Sequence, residues 1–299
     1  MRKNASILAL TGILLLASLQ SVLASDAIWT YKAGDITVMR LVDQQGGVPA
    51  EALVGADKTL LENTLHGGIC PAMFLTFLLK TPTDCILVDT GNGAAHKGQT
   101  LALLKQLGLE PGAVTKILLT HMHGDHVSGL FSGEEKTFPQ AKVYVEQSEY
   151  RFWTDRKNTL SAPSSMASCF DNAERFARLY ESQIHLFKAG ERLFPWLISI
   201  PMPGHTQGHT GFLLTQGGKS ILLAGDFLHC LAVQTANPDV TVIWDSDQNL
   251  AKQTRRSILE RFANSDTLIL GGHFPNPGAV QFTQTQGKFA YTFVAPEKD

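Results

Sequence analysis

The sequence has little excess charge of either sign: 25 Lys and Arg face 27 Asp and Glu among 299 residues, a formal net charge of −2. Phosphate backbones are held by positive surface, so nucleic-acid binding is excluded as a first expectation. Cysteine is scarce, with four in the chain and no Cys-x-x-Cys pair. That argues against a cysteine zinc site. Cys70, Cys85, Cys169 and Cys230 show no disulfide framework, and buried free thiols are expected of them. Beyond the N-terminus no stretch is apolar enough to span a bilayer. Long-period repeats and low-complexity linkers are also missing. What remains is an ordinary globular balance, 44% hydrophobic and 17% charged, which excludes wholesale disorder.

The start of the chain reads as an address. Arg2 and Lys3 precede an apolar run over residues 7–16, and Val22-Leu23-Ala24 resembles a small-residue cleavage site before Ser25. The expectation is a secretory signal peptide over residues 1–24, with a retained membrane anchor as the alternative. A single domain follows over 25–299, periplasmic or secreted, with no membrane attachment once the leader is gone. Export also permits disulfides.

Short apolar strands alternate with helical stretches. Strands are expected at 36–42, 73–79, 86–88, 117–119, 143–145, 197–200, 211–215, 221–223, 268–270 and 289–294. Helical spacing marks 100–107, 174–182 and 249–262. The Ser/Ala/Pro-rich stretch 161–168 is expected to be a mobile loop. The order predicts an α/β (α+β) protein with two packed sheets and helices outside, although periodicity alone does not separate this from other α/β layouts. The apolar stretch 48–65 is expected either to form a homodimer contact or to lie as a loop over the site.

One segment carries chemistry: Thr120-His121-Met122-His123-Gly124-Asp125-His126. Imidazole and carboxylate are ligands for zinc, iron or manganese. Four of them lie within six residues directly after a strand. Read as a loop, with Gly124 allowing a tight turn, the segment can aim His121 and His123 at one metal and Asp125 and His126 at a second. Three later segments place one ligand type each at a strand end beside glycine: Gly204-His205, Gly225-Asp226 and Gly272-His273. Singly, such a residue is more often structural. The four segments together point to a metal site that accepts Zn first, with Fe, Mn or Co as alternatives.

The pattern His-x-His-x-Asp-His, then Gly-His-Thr-x-Gly-His, then a strand-end Gly-Asp and a late Gly-Gly-His resembles the metallo-β-lactamase superfamily. Val88-Asp89-Thr90-Gly91 is similar to its upstream motif. The resemblance implies a four-layer αββα sandwich with two divalent metal ions at one edge. One metal would take His121, His123 and His205. The other would take Asp125, His126 and His273, and Asp226 would bridge them. Asp125 and Asp226 are thereby the catalytic carboxylates, and Asp89 is expected to orient a ligand imidazole. A bridging hydroxide would attack the substrate, as two metals about 3.5–4 Å apart allow.

Within the superfamily the sequence resembles the methyl parathion hydrolase-like branch, with quorum-quenching lactonases nearby. Met122 between the histidines, Phe152-Trp153, the 228–247 stretch and Phe274-Pro275 carry that likeness. It implies an exported hydrolase of small-molecule esters, lactones or phosphotriesters. Phe152, Trp153, Phe170, Leu228 and Phe274 are the expected substrate-pocket wall. A β-lactamase or thioesterase on the same metals is the alternative, and a redox diiron protein or a non-catalytic metal-binding protein are further ones. His229 and Cys230, just past Asp226, are expected in core or surface roles, with lining of the pocket as the alternative, and His209 as a turn residue. His66, His96 and His185 are expected at the surface or in the core.

Overall fold

A computed structural model describes residues 27–65, 67–162 and 164–297. The leader expected at 1–24 and His66 therefore lie outside the described residues.

The N-terminal half runs β1 (Ile28–Ala33), β2 (Ile36–Pro49), β3 (Leu53–Val54), α1 (Lys58–Thr64), β4 (Ile69–Lys80), β5 (Cys85–Val88), α2 (Thr100–Gln106), β6 (Lys116–Leu118), α3 (Gly124–Val127), β7 (Phe131–Ser132), β8 (Glu135–Lys136), β9 (Lys142–Glu146), α4 (Gln147–Thr154), α5 (Ala167–Tyr180) and β10 (Ile184–Phe187). The C-terminal half runs β11 (Arg192–Phe194), β12 (Leu197–Pro201), β13 (Thr210–Gln216), β14 (Lys219–Leu223), α6 (Leu231–Ala236), β15 (Thr241–Val242), α7 (Gln248–Phe262), β16 (Leu268–Leu270), β17 (Ala279–Thr285) and β18 (Lys288–Phe293). Two seven-stranded sheets result, in the orders β1-β2-β4-β5-β6-β9-β10 and β11-β12-β13-β14-β16-β17-β18.

Strand alternation explains the layering. In β5, Ile86 and Val88 face the second sheet while Leu87 faces the helices outside, because successive side chains leave a strand on opposite faces. In β14, Ile221 and Leu223 join that same inter-sheet core, and Leu222 packs under α7 with Ile258, Leu259 and Phe262. Both faces of the central strands are covered, which is why they read as unbroken apolar runs. The helix expected at 174–182 instead begins at Ala167. Cys169, Phe170, Ala173, Phe176 and Tyr180 form its buried face, and that face draws the last two residues of the expected loop into α5.

The parallel pairs β5·β6 and β14·β16 end at the same edge of the sandwich. Main-chain bonds join the loops there across the sheets: Thr210 N to Thr120 O at 2.9 Å, and Leu75 N to Gly272 O at 3.0 Å. A disulfide between Cys70 and Cys230, with Cα atoms 5.7 Å apart, ties β4 to the segment entering α6. This corrects the free-thiol expectation for those two residues. They are 160 residues apart in sequence, so spacing could not pair them. Cys85 and Cys169 are free. The 48–65 stretch buries Val48, Leu53 and Leu65 against Cys70, Cys230, Val233 and Val240, and it forms a wall beside the loop edge.

Candidate metal centre

Each expected ligand leaves the end of a strand. His121 and His123 follow β6, and Asp125 and His126 sit on the single helical turn α3. The expected loop is thus half helix. Gly124 starts that turn, where a Cβ would meet Ser128 Oγ at an ordinary 3.8 Å, so the turn does not require a glycine. His205 lies between β12 and β13, Asp226 follows β14 and His273 follows β16. At Gly272 a Cβ would lie 2.5 Å from Asp226 Oδ1, so only glycine lets the last two loops meet.

The seven residues come together in two groups, His121-His123-His205 and Asp125-His126-Asp226-His273, each with ligand atoms within 4.8 Å of one another. Asp226 Oδ2 belongs to both neighbourhoods. It lies 2.9 Å from His273 Nε2, 3.3 Å from His126, 3.5 Å from His205 and 3.7 Å from His121.

The far side of most rings is fixed. His126 Nδ1 is 2.8 Å from Asp89, His205 Nδ1 is 2.8 Å from Asp245, and His273 Nδ1 donates to Met73 O at 2.9 Å. Asp89 also accepts from Thr120 N and Thr120 Oγ1 at 2.8 and 2.7 Å, so it holds the loop as well as the ring. With Nδ1 engaged, the opposite nitrogen points inward. Nε2 of His121, His123, His126 and His205, together with Asp226 Oδ1, is buried without a hydrogen-bond partner. Buried polar atoms are rarely left so. Orphaned imidazole and carboxylate atoms gathered in two adjoining groups fit divalent cations.

The electrostatics agree. Burial, then the neighbouring imidazoles, pushes His121 and His123 well below their ordinary values and keeps their lone pairs free. Burial opposes charge on His126 and His273 too, but Asp226 and Asp125 outweigh it and raise both. Burial likewise opposes ionisation of Asp226, and His126 and His273 hold its carboxyl well below the usual range. A cation bound beside these carboxylates would compete with protons for the two rings.

The centre floors a cavity of about 420 Å³. One flank is apolar, made by Val48, Ala72, Phe74 and Trp244. The other is mixed, with Asn92, Ser128, Ser165, Ser168 and Asn172 beside Met166 and Cys169. The Asn172 amide donates to Ser128 Oγ at 3.3 Å.

The metallo-beta-lactamase superfamily model matches residues 74–292. The chain belongs to that superfamily. YobT of Bacillus subtilis (strain 168) is 31% identical over 159 residues, 52% of this chain, and the match spans only 63% of YobT's length. The N-acyl homoserine lactonase AiiA of Bacillus thuringiensis subsp. kurstaki is 26% identical over 202 residues, 58% of this chain and 73% of AiiA. Among solved structures, the hydrolase AbOPH of the beta lactamase superfamily superposes with a TM-score of 0.81 at 27% identity, covering 91% of this chain and 98% of that one. AidC, described as a dizinc quorum-quenching lactonase, gives the same TM-score and coverage at 21% identity and so supports the fold. Two sheets with helices outside are the superfamily's architecture, and the protein is a superfamily hydrolase with His/Asp clusters suited to metal.

The expected pocket wall of this superfamily member is corrected. Trp153, Phe170, Leu228 and Phe274 are buried in the core. The Trp153 ring packs edge-on behind His123 at 5.5 Å and against Phe170 at 4.9 Å. Leu228 and Phe274 sit beneath the second sheet. Phe152 faces a shallow groove on the outer side of α4. Helical spacing turns the apolar face of α4 inward, away from the cavity mouth. Phe74 and Trp244 are the aromatics that line the cavity instead. His96 also lines it, and His185 packs on Tyr144 at 4.6 Å.

His229 meets the alternative of its two expectations, lining of the pocket. It borders the cavity, stacks on His273 at 4.9 Å and sits 3.3 Å from Asp226 Oδ2. Burial, only partly offset by Asp226, lowers it to about 4. Its position three residues past a metal-type Asp was the available signal. Asp245 had a weaker one, an acidic residue beside Trp244. Glu149 had none. His209 does serve the turn, with Nδ1 donating to Met202 O and Nε2 accepting from Asp226 N.

Proposed function

We propose that the protein is an exported dinuclear zinc hydrolase that opens the ring ester of an N-acyl homoserine lactone or a closely similar small ester. Asp226 Oδ2 carries this reading, because it lies within 3.7 Å of histidines from both ligand groups. His121, His123 and His205 would hold one ion, and Asp125, His126 and His273 the other, with Asp226 between them. Bound ions supply Lewis acidity toward the ester oxygen and activation of water.

The chain's own residues do the rest. Asp89 and Asp245 keep two ligand rings in the tautomer that presents Nε2. Neutral His229, beside Asp226, offers the substrate a hydrogen-bonding group. An acyl homoserine lactone combines a ring ester, an amide and an apolar chain. The cavity lining supports that order: the metal centre as floor, Asn172 and Ser128 as groups that would meet the amide, and Phe74, Trp244 and Val48 as surface that would take the chain. A volume of about 420 Å³ suits one such molecule. The names of AiiA and AidC support a lactone substrate. The Cys70–Cys230 disulfide supports export, since such bonds persist in oxidising compartments.

The test is hydrolysis by the zinc-loaded protein of an acyl homoserine lactone, an aryl ester, a methyl phosphotriester and a cephalosporin chromogen. Metal-dependent preference for the lactone or aryl ester is expected. Preference for the phosphotriester would replace the leaving group in this reading. Preference for the cephalosporin would overturn it.

A further inference from the structure

Glu149 is fully buried on α4 and takes no part in the ligand set. The groups bonded to it are all donors. Its Oε1 accepts from Met122 N at 2.9 Å and from the Trp153 indole at 2.8 Å, and its Oε2 accepts from Gly208 N at 2.8 Å. Met122 is the residue between His121 and His123. Gly208 lies three residues past His205, in a loop of the other sheet. One carboxylate therefore fastens two separate loops, and those loops carry all three histidines of one ligand group. The Trp153 ring that shares Oε1 packs against His123. No bond from Glu149 reaches the Asp125-His126-Asp226-His273 group directly.

Charge-assisted bonds of this kind are shorter and stronger than neutral ones. Losing the acceptor would also strand buried N–H groups. We propose that Glu149 is a positioning residue that sets the spacing of the His121-His123 loop against the His205 loop, and thereby the metal affinity of that one group and not the other. This rests on the reading that both groups bind metal.

The experiment compares stepwise zinc affinities by chelator competition, and Co(II) absorption spectra, in wild type, Glu149→Gln and His123→Ala. In Glu149→Gln an amide NH₂ must face one of the loop N–H donors. The expected result is a loss of about 10–100-fold in one binding step, the step that His123→Ala removes. The other step should stay within a few-fold of wild type. Excess zinc should restore the variant's kcat, with KM little changed. Two wild-type affinities, with only a lower melting temperature, would make Glu149 merely structural and overturn the proposal. Equal weakening of both steps would overturn it too. If Glu149→Gln does not fold, Glu149→Asp, which keeps the charge but is one methylene shorter, takes the same measurements. Wild-type protein that binds a single ion would instead defeat the dinuclear reading itself.

Discussion

At His209 a single proton decides whether two loops stay joined. The neutral ring donates through Nδ1 to Met202 O and accepts the Asp226 amide through Nε2. Protonation would remove that acceptor. Burial, then His205, lowers its pKa to about 3, against an ordinary value near 6.5. Between these two values the unfolded chain binds the proton and the folded one does not. Stability from this residue is therefore complete above about pH 6.5 and declines as pH falls toward 3. Thermal midpoints of the metal-free protein should drop across that window. In His209→Gln the drop should be shallower, even if the midpoint at pH 7 is lower. Parallel curves for the two proteins would refute this assignment.

At the scale of elements, strand ends and short loops present the site, and helices hold those loops in place. α7 shows the coupling. Its cap Asp247 accepts from Leu250 N at 2.9 Å, while Asp247 N and Ser246 N bond to Gly204 O and His205 O. Two turns inside the helix, buried Arg255 binds Phe227 O and Val240 O and lies 3.6 Å from Asp245, the partner of His205. Asp247→Ala should cost about 1 kcal/mol of stability, the usual value of such a cap. Its main-chain bonds to the His205 loop remain, so bound zinc should stay at the wild-type amount. A denaturation midpoint unchanged from wild type would refute the capping role. α3 and α4 were not legible in the sequence because they are short. Their helicity follows from packing of Val127 and Trp153 into the core, not from a periodic run.

Across the whole molecule, the Cys70–Cys230 bond closes a loop of 160 residues around most of the metal centre. Chain-entropy arguments put the stabilisation from so long a loop at up to about 5 kcal/mol. Reduction, or Cys70→Ser with Cys230→Ser, should lower the denaturant midpoint by an amount of that order. It should also loosen the apolar wall, because Ala72, Val48 and Trp244 pack around the same bond. Identical midpoints with and without reductant would mean that the bond is not formed in solution.

The sequence by itself determined the candidate ligands and much of the layered fold. Histidine and aspartate crowded at strand ends have little other physical use, and strands buried on both faces must be apolar at every position. The seven residues named in this way are brought within a few ångströms. Only the tertiary structure decided the rest. The aromatic lining of the cavity comes from Phe74 and Trp244, which are 170 positions apart; Trp244 packs beside the Cys70–Cys230 bond that ties β4 to the segment entering α6. Trp153 and Phe170 were indistinguishable from wall residues in sequence, since an aromatic ring buried in a core and one facing a cavity have the same composition. Glu149 and Asp245 bond to ligand loops distant in the chain. Such partners are set by three-dimensional proximity, and local pattern does not record it.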